Sequence, residues 1–340
     1  MNTLSRNDKV DALIIGGGVA GCATAIELLS VGWSVALLHQ PDRWSAIESI
    51  STAAARYLGR LSIQVGADLS EVVAWWGSDQ EVRARQVGAR IVQRSILADS
   101  LRGRAIEWGA IAIEGEKLLR IERSRDTWRI RCEHRSLIAK YLIDATGRAS
   151  LVGRRLGAQR FALDQIFCIS VSVHQPQITG TWTESTSDGW WNLCCLPEEG
   201  TLSFYSTAQT IRESKTDIAT CLYKTRHLRT LLANSTFGKS KVRPCGSSQL
   251  IPCAGPGWLA VGDAAFTLQP LASAGVPKAL RDARMVPQAL EHEPAQYDHF
   301  QVTECKVYLQ QLAQHYALEK RWFPTQFWQS RHSADFHKLG

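Results

Sequence analysis

The sequence predicts an α/β protein in which a parallel-sheet domain is interrupted by an antiparallel, β-rich domain. Three observations lead to this prediction. A strand, a glycine loop and a helix follow one another near the N-terminus, residues 167–244 form short alternating strands with turn signals, and a buried strand with its own glycine turn returns at 257–262. A chain of 340 residues is long enough for two such domains.

The N-terminal unit has the pattern of two parallel strands joined by a helix. Residues 11–15 are a short apolar run typical of a buried strand, and the apolar spacing of residues 22–30 is that of a helix. Gly32 ends the helix, and residues 34–38 form the next strand. These segments predict a βαβ unit of about 30 residues.

The loop between the first strand and its helix has the spacing Gly16-x-Gly18-x-x-Gly21. The first glycine permits the tight turn, the second lets a pyrophosphate approach the backbone, and the third lets the helix pack closely on the strand. The free N–H groups and the positive dipole end of the helix then face the phosphates. We therefore expect this loop, with Val19 and Ala20, to bind a dinucleotide.

The end of the second strand departs from the usual dinucleotide pattern. An acidic residue is expected about 20 residues after the glycine loop, where it binds a ribose diol. The sequence has His39 there, followed by Gln40, and Asp42 is a nearby substitute. A histidine can hydrogen-bond a hydroxyl, so His39 is either a ribose ligand that holds the adenosine end weakly or a plain surface residue.

A second block, Gly262-Asp263-Ala264-Ala265, follows the strand at 257–261 and leads to Pro270 and Gly275. A carboxylate at a strand end can accept a hydrogen bond from a ribityl hydroxyl. The N–H groups of the next helix can face the flavin ring where negative charge develops on reduction. Together the two blocks predict FAD rather than NAD, and hence a Rossmann-like FAD-binding domain of the glutathione-reductase type.

The remaining segments complete the predicted domain organisation. Residues 51–86 are predicted to be helical, 89–109 to form a short strand and an amphipathic helix, and 110–139 to form a small antiparallel sheet. The predicted units are an FAD-binding domain of residues 1–150 and 245–290, an inserted antiparallel β-rich substrate domain of residues 151–244, and a C-terminal helical segment of residues 291–340.

Composition narrows the function classes. The net charge of +7 comes from scattered basic residues, without the basic stripe and interleaved aromatics that indicate nucleic-acid binding. No apolar run reaches the roughly 20 residues of a membrane span. The nine cysteines include no C-x-x-C pair, which predicts buried thiols rather than a metal site or disulfides. We expect a cytoplasmic protein that binds neither nucleic acid, membrane nor metal.

Further motifs give a resemblance to a known group of proteins. The two blocks, with Asp144-Ala145-Thr146-Gly147-Arg148 between them, resemble those of single-component flavin monooxygenases, halogenases and geranylgeranyl reductase-like proteins. Three other segments resemble motifs of the same group: Ile47-Glu48-Ser49-Ile50, Ile91-Val92-Gln93-Arg94 and Asp188-Gly189-Trp190-Trp191. The tail, residues 315–322 followed by Phe327-Trp328, resembles that of the flavoproteins that mature tryptophylquinone enzymes such as lysine oxidase, glycine oxidase and quinohemoprotein amine dehydrogenase.

This resemblance implies an FAD-dependent monooxygenase that hydroxylates a tryptophan side chain of a precursor protein during cysteine tryptophylquinone biogenesis. The partner would be the precursor of a quinoprotein oxidase or dehydrogenase. The electrons would come from NAD(P)H or an external reductase, because the sequence has no second glycine loop. The cofactor carries the chemistry, so the motifs name few catalytic side chains. Arg94 is expected to contact the cofactor, and Glu48 is expected either near the flavin ring or as a helix-start carboxylate.

The aromatic residues give two more expectations. Trp190 and Trp191 are adjacent on a predicted strand and therefore face opposite sides, so one should lie in the core and the other should line the substrate cleft. Arg321, Trp322 and Trp328 are either anchors for a partner protein or side chains that pack on their own domain.

Three other functions stay open. Flavin halogenases of the group need a lysine between flavin and substrate, and residues 41–86, where it is expected, contain none. A small-molecule or lipid oxidoreductase would be favoured by a long apolar pocket in the β-rich domain. A non-catalytic, flavin-bound maturation partner would fit weak cofactor binding, for which His39, and Gln269 in place of the group's frequent aspartate, are the reasons.

Overall fold

The computed structural model describes residues 9–41, 46–69, 71–214 and 217–332. In these residues the chain forms ten α-helices and 22 β-strands, and the strands are arranged in four sheets. The α-helices are α1 Val19–Ser30, α2 Thr52–Arg60, α3 Arg94–Glu107, α4 Leu151–Arg155, α5 Ala208–Glu213, α6 Ile218–Leu222, α7 Leu228–Leu231, α8 Gly275–Glu291, α9 Pro294–Ala317 and α10 Gln326–His332.

The β-strands are β1 Lys9–Ile15, β2 Val35–His39, β3 Ile47–Ile50, β4 Ala67–Asp68, β5 Val72–Trp75, β6 Val82–Ala84, β7 Arg90–Gln93, β8 Ile111–Glu114, β9 Leu118–Ser124, β10 Thr127–Cys132, β11 Ser136–Asp144, β12 Gln159–Ala162, β13 Phe167–His174, β14 Gly180–Thr186, β15 Gly189–Cys195, β16 Glu199–Ser206, β17 Thr236–Phe237, β18 Lys241–Pro244, β19 Ser248–Ile251, β20 Ala254–Gly255, β21 Trp258–Ala260 and β22 Phe266–Thr267.

The first framework is an eight-stranded mixed sheet built around β1. β1 pairs in parallel with β2 on one side and with β11 on the other, and β8 and β21 continue the parallel order outward. All five residues of β2 are buried, as expected for a parallel strand covered on both faces. Helix α1 connects β1 to β2 and packs against α3 and α8. The predicted βαβ unit and the Rossmann-like α/β fold are confirmed.

The predicted small antiparallel sheet at 110–139 is only partly right. β8 lies in the main sheet, parallel to β2, with Leu37 opposite Ala112. β9 and β10 form an antiparallel pair, but they extend the same main sheet from the side of β11. Alternating polarity marks a half-exposed strand and does not say which neighbour that strand pairs with.

The predicted helix at 51–86 is wrong beyond its first turns. Only α2 is helical, and β4, β5 and β6 follow it. Gly66 has a φ of +68°, and a Cβ placed there would lie 1.9 Å from the carbonyl oxygen of Ile91. Gly77 likewise has a φ of +76°. These left-handed positions break the segment into short strands, because a continuous helix requires negative φ at every residue.

The second eight-stranded sheet has the order β17–β13–β16–β15–β14–β5–β6, with β18 beside β13. The strand β5 pairs in parallel with β14, so the sheet takes strands from two separate parts of the chain. One of its faces packs against α5, α6 and α7, and the other packs against the C-terminal helices α9 and α10. This second contact buries the aromatic side chains Tyr316, Phe327 and Trp328 of the C-terminal helices.

Two further facts bear on the sequence expectations. All nine cysteines are buried, as expected for small apolar side chains. Among the residues that the structure describes, no helix combines the length and the apolar character needed to cross a membrane.

Candidate functional site

A cavity of about 440 Å³ lies between the carboxyl edge of the main sheet and the second sheet. Its walls come from seven places in the chain: the glycine loop, strand β3, the start of α3 after β7, the loop after β11, strands β15 and β16, the end of β18, and the segment from β21 to the start of α8. The volume falls within the ~300–1,000 Å³ usual for cofactor and ligand sites. The cavity therefore lies where the two sequence blocks and the second sheet meet.

The glycine loop forms the floor of this cavity, and its three glycines have different physical roles. A Cβ on Gly16, which has a φ of +118°, would lie 2.1 Å from the carbonyl oxygen of Ala145, and one on Gly21 would lie 1.9 Å from that of Gly16. A Cβ on Gly18 would meet no atom within 4 Å. Gly16 and Gly21 are therefore fixed by the packing of the chain, whereas Gly18 leaves open space on the cavity side.

Two helix N-termini meet at the cavity. Helix α1 begins at Val19 after Gly18, and α8 begins at Gly275 after Ala274; neither has a side-chain cap. Residues from both ends line the cavity: Gly18, Val19 and Ala20 from α1, and Ala274, Gly275 and Val276 from α8. Uncapped N-termini present free N–H donors and a positive dipole end. This arrangement suits an anionic or electron-rich ligand.

Asp263 lines the cavity from the turn that follows β21. The turn begins at Gly262, which has a φ of +58°. A buried ion pair holds it: Asp282 accepts a hydrogen bond from the Gly262 N–H at 3.0 Å, while Lys278 donates to the Gly262 carbonyl at 2.9 Å and to Asp282 at 2.6 Å. Pro270 lies in a short 3₁₀ turn that also borders the cavity. The second sequence block is thus brought to the same place as the glycine loop.

Glu48 and Arg94 lie together on the opposite wall. Glu48 is on β3, opposite Val92 of β7, and Arg94 begins α3 two residues after Val92. Arg94 Nη1 is 3.6 Å from Glu48 Oε2, whereas Glu48 Oε1 is buried and has no hydrogen-bond partner. A buried carboxylate oxygen without a donor is costly, and Glu48 lines the cavity, so Oε1 is a candidate acceptor for a hydrogen bond from a ligand.

His39 lies at the end of β2, beside the glycine loop but outside the cavity lining. Its side chain is buried, and its Nδ1 has no hydrogen-bond partner. Burial lowers the pKa of the ring, as does the positive charge of Arg102 nearby. The imidazole is therefore neutral at pH 7. Because its side chain is buried, His39 is not a plain surface residue. Asp42, the other residue considered for this role, lies outside the described residues.

The second sheet provides a wall that sequence reasoning did not identify. Asn192 on β15 and Thr201, Ser203 and Tyr205 on β16 line the cavity. Thr201 Oγ1 accepts a hydrogen bond from the backbone N–H of Ile47 at 2.9 Å, which joins this sheet to β3. The only sequence signal was the alternation of polar residues along β16, and alternation does not reveal what a face covers.

Arg148, which was noted only as part of a motif, also lines the cavity. Its guanidinium donates to the backbone carbonyls of Gly246 at 2.7 Å, Leu268 at 3.2 Å and Cys245 at 3.3 Å. These bonds join the loop after β11 to the segment after β18 and to the turn before Pro270. Arg148 therefore shapes the cavity rather than offering its full charge to a ligand.

The expectation that one of the paired tryptophans lines a substrate cleft needs correction. Trp190 and Trp191 face opposite sides of β15, but both are fully buried. Trp191 stacks on Phe204 in the core beneath α5–α7, and Trp190 stacks on Tyr205 in the core beneath α9 and α10. The second sheet is covered on both faces, so neither indole reaches the cavity surface.

The aromatic tail packs on its own protein. Trp328 is fully buried and donates its Nε1–H to the carbonyl of Thr186 at 2.7 Å. Arg321 turns inward, where it donates to Ser185 at 2.7 Å. Of the two alternatives for these residues, intramolecular packing is the one that the structure supports. Within the described chain, no group of three or more His, Cys, Asp or Glu side chains could hold a metal ion.

The parallel sheet with its glycine loop and the facing antiparallel sheet define an α/β fold found in several solved flavoproteins. The flavin-dependent halogenase CmlS superposes with a TM-score of 0.82 and 19% identity, over 95% of this chain and 68% of CmlS. QhpG, described as a peptidyl tryptophan dihydroxylase essential for tryptophylquinone cofactor biogenesis, superposes with a TM-score of 0.72 and 21% identity, over 95% of this chain and 79% of QhpG. These likenesses show the fold.

No protein family profile matches the chain. A curated relative is LodB of Marinomonas mediterranea, which carries a provisional assignment as an FAD-dependent oxidoreductase. The two sequences are 26% identical over 369 residues, which span 96% of this chain and 98% of LodB. The similarity therefore runs through the cavity residues and the C-terminal helices alike.

Proposed function

We propose that this chain is an FAD-dependent oxidoreductase of the monooxygenase type. The observation that carries the proposal is the convergence of two uncapped helix N-termini, an open Gly18 and the Asp263 carboxylate on one cavity. These groups match a flavin dinucleotide, which has a pyrophosphate, a hydroxylated ribityl chain and a ring that becomes electron-rich on reduction. In this proposal residues 1–150 and 245–290 hold FAD, residues 151–244 form most of the substrate side, and 291–340 support them.

Each part of FAD has a proposed set of ligands. The loop from Gly16 to Gly21 would hold the pyrophosphate through backbone N–H groups, and His39 would bind the adenosine ribose. Asp263 would accept a hydrogen bond from a ribityl hydroxyl, while the start of α8 at Gly275 would face the flavin ring. Arg94 and Pro270 would border the ring.

The finer proposal is hydroxylation of a tryptophan side chain in the precursor of a quinoprotein oxidase or dehydrogenase. It is supported by the resemblance of the tail at 315–328 and by the described activity of QhpG, a neighbour in fold. Reduced FAD would supply two electrons from NAD(P)H or an external reductase, so that one atom of O2 enters the indole and the other leaves as water. The buried thiols fit the expected cytoplasmic location.

Glu48 is the proton acceptor in this proposal. Glu48 and Asp263 are the two carboxylates among the described residues that line the cavity, and Asp263 is assigned to the ribityl chain. An indole that gains an oxygen atom must lose a ring proton, and its N–H needs an acceptor while the ring reacts. The unpartnered Oε1 of Glu48 offers that acceptor, and Arg94 holds the other oxygen in place.

A halogenase is the second candidate, because CmlS has a higher TM-score than QhpG. The cavity lining argues against it. Among the described residues that border the cavity there are three arginines and no lysine, and the flavin halogenases of this group need a lysine between flavin and substrate. The polar wall of Asn192, Thr201 and Ser203 also differs from the long apolar pocket expected for a lipid oxidoreductase.

The test is turnover of a tryptophan-containing precursor by the purified protein with FAD, NAD(P)H and O2. The expected result is a mass gain of one oxygen atom per reacting site, lost when the target tryptophan of the precursor is replaced by phenylalanine. A halide-dependent mass gain on free tryptophan would support the halogenase instead. Consumption of NAD(P)H without any oxygen in the precursor would favour a small-molecule oxidoreductase. Neither NAD(P)H consumption nor a mass gain would favour a non-catalytic maturation partner.

A Glu48→Gln variant tests the proposed acceptor. FAD affinity should stay unchanged, while hydroxylated product per unit time falls by about 100-fold, the usual contribution of a general base. Glu48→Asp should recover part of the product. A Glu48→Gln protein that instead loses FAD affinity would show that Oε1 receives a donor of the cofactor rather than of the substrate.

A further inference from the structure

Three aromatic rings run in contact from the cavity to the protein surface. Tyr205 lines the cavity, and its ring stacks on that of Trp190 with a centroid distance of 3.8 Å and an interplanar angle of 13°. Trp190 meets Trp76 edge-on at 6.4 Å. Trp76 is partly exposed and lies 4.8 Å from the ring of His315, which is exposed. Each ring of the series is therefore in direct contact with the next ring.

Polar contacts fix the middle of the series. Trp190 donates its Nε1–H to the hydroxyl of Tyr316 at 3.1 Å, and Tyr316 donates to Gln269 Oε1 at 2.7 Å. Gln269 itself lines the cavity. Trp76 is held by a hydrogen bond from its Nε1–H to the carbonyl of His315 at 3.1 Å. The rings are therefore locked in place more firmly than hydrophobic packing alone requires.

These rings belong to the side chains that lose electrons most easily. A phenol and two indoles in direct contact allow an electron to move in short steps, whereas a single step from the surface to the cavity would be slow. Tyr205 and Ser203 both line the cavity. Burial raises the pKa of Tyr205, so the ring enters the series as a neutral phenol.

We propose that Tyr205, Trp190 and Trp76 form an electron-transfer path. Through it, the peroxide that O2 forms on reduced FAD is discharged to oxidised FAD and water by two protons from the cavity and two electrons drawn one at a time from the surface. Tyr205 loses one electron to the oxidant and its phenolic proton to the cavity. Trp190 then reduces Tyr205, which takes a proton back from the cavity. Trp76 reduces Trp190, and a reductant in solution, such as ascorbate or a thiol, restores Trp76. Each step moves one electron, and the external reductant is the species finally oxidised.

This path rests on the proposed binding of FAD and adds a second role to the protein. An oxygen-activating site that reacts without its substrate must discharge the oxidising equivalent by another route. A path that ends at a partly exposed tryptophan moves the equivalent to where small reductants reach it. The chain has 12 tryptophans against two methionines, and the path gives two of these tryptophans, Trp76 and Trp190, a function.

Photoreduction of the FAD-loaded protein tests the path without turnover. Blue light makes oxidised flavin a strong one-electron oxidant, so under anaerobic conditions with ascorbate the wild-type protein should bleach its visible flavin band. Trp190→Phe and Trp76→Phe should each lose most of this bleaching, because the charge returns from Tyr205 before ascorbate can act. Transient absorption should show a tryptophan radical in the wild type that is absent from Trp190→Phe.

Trp33→Phe is the matched control. Trp33 stacks on Tyr141 at 4.8 Å, at the opposite end of β2 from His39, and should leave photoreduction unchanged. Trp76→Phe changes only a half-buried ring, so at least one variant of the path should remain folded. Equal bleaching in the wild type and both path variants, each with FAD bound, would overturn the path alone. Failure of the folded wild type to bind FAD would overturn the path and the proposed function together.

Discussion

The guanidinium of Arg321 lies against the carboxylate of Glu319, with Arg321 Nη2 2.6 Å from Glu319 Oε2. Glu319 is fully buried and also accepts hydrogen bonds from the backbone N–H of Gly77 at 2.7 Å and from the hydroxyl of Ser185. Arg321 donates in turn to Asp79 at 2.6 Å. This cluster joins the C-terminal tail to the ends of β5 and β14.

Replacing Arg321 should therefore destabilise the fold. Arg321→Ala leaves Glu319 buried without its cation, and we expect a loss of about 3 kcal/mol in the free energy of unfolding, measured by urea denaturation. Arg120→Ala, which breaks an exposed pair with Glu122, is the control and should change it by less than ~0.5 kcal/mol. If Arg321→Ala has wild-type stability, the result would contradict intramolecular packing and favour Arg321 as an anchor for a partner protein.

The same cluster predicts a pH dependence. Burial alone would raise the pKa of Glu319, but hydrogen bonds from Arg321, Ser185 and Gly77 outweigh it and hold the pKa below its ordinary value of 4.5. The stabilisation is therefore present above pH 4.5 and is lost as the pH falls through the lowered pKa. The stability difference between wild type and Arg321→Ala should shrink in acid, and a difference that stays constant would contradict the assignment.

Gly18 and Gly21, the second and third glycines of the motif, should respond differently to replacement by alanine. Gly21→Ala places a Cβ 1.9 Å from the carbonyl of Gly16, so we expect a loss of about 3 kcal/mol in stability. Gly18→Ala meets no atom within 4 Å and should change stability by less than ~0.5 kcal/mol. It should nevertheless weaken FAD binding about tenfold, or ~1.4 kcal/mol, by crowding the pyrophosphate. Unchanged FAD affinity in Gly18→Ala would place the pyrophosphate elsewhere.

Position 39 should control the affinity for the adenosine end of FAD. His39→Ala removes the proposed ribose ligand and should weaken binding up to about tenfold, the value of one neutral hydrogen bond. His39→Glu restores the usual carboxylate, whose charge-assisted bonds are about twice as strong, and should tighten binding. Titration of FAD fluorescence measures both. FMN lacks the adenosine, so it should bind the wild type, His39→Ala and His39→Glu with equal affinity. Unequal FMN affinities would contradict the role of His39 as a ribose ligand.

His39 gives the fold a second pH dependence, which comes from a basic side chain rather than an acidic one. Burial, together with Arg102, lowers its pKa below the ordinary 6.5, so the unfolded chain takes up a proton before the folded one does. Stability should therefore fall as the pH drops from about 6.5 toward the lowered pKa. His39→Gln should remove part of that slope. His315→Gln is the comparison, because partial burial of that ring lowers its pKa too. A slope unaffected by His39→Gln would be assigned to His315.

The ion pair under the Gly262 turn should be needed for the position of Asp263. Lys278→Met leaves the buried Asp282 without its main cation, for an expected loss of about 3 kcal/mol and weaker FAD binding. The double variant Lys278→Met, Asp282→Leu removes both charges and should recover most of the stability without restoring FAD affinity. Thermal unfolding and FAD titration separate the two effects. Full FAD affinity in the double variant would show that the turn does not need the pair.

Local signals in the sequence were sufficient for the β1–α1–β2 unit and for the two glycine turns at the edge of the main sheet. The spacing of Gly16, Gly18 and Gly21 reflects a contact within a single strand–turn–helix unit, so a short window of sequence carries all the information needed. The same holds for Gly262 and Asp263, which follow a buried strand directly. At residues 51–86 the local signal failed, because positive φ at Gly66 and Gly77 depends on packing against Ile91 and Leu318, distant residues that no window includes.

By itself the sequence determined the Rossmann-like α/β fold and which residues belong to the two blocks. Only the tertiary structure decided what faces them. The burial of Trp190 follows from a sheet covered on both faces, one of them by the helices α9 and α10, while Thr201 and Ser203 form the part of the sheet that borders the cavity. Such coverage is a contact between residues far apart in sequence, and alternation along a strand specifies two faces without specifying what each face meets.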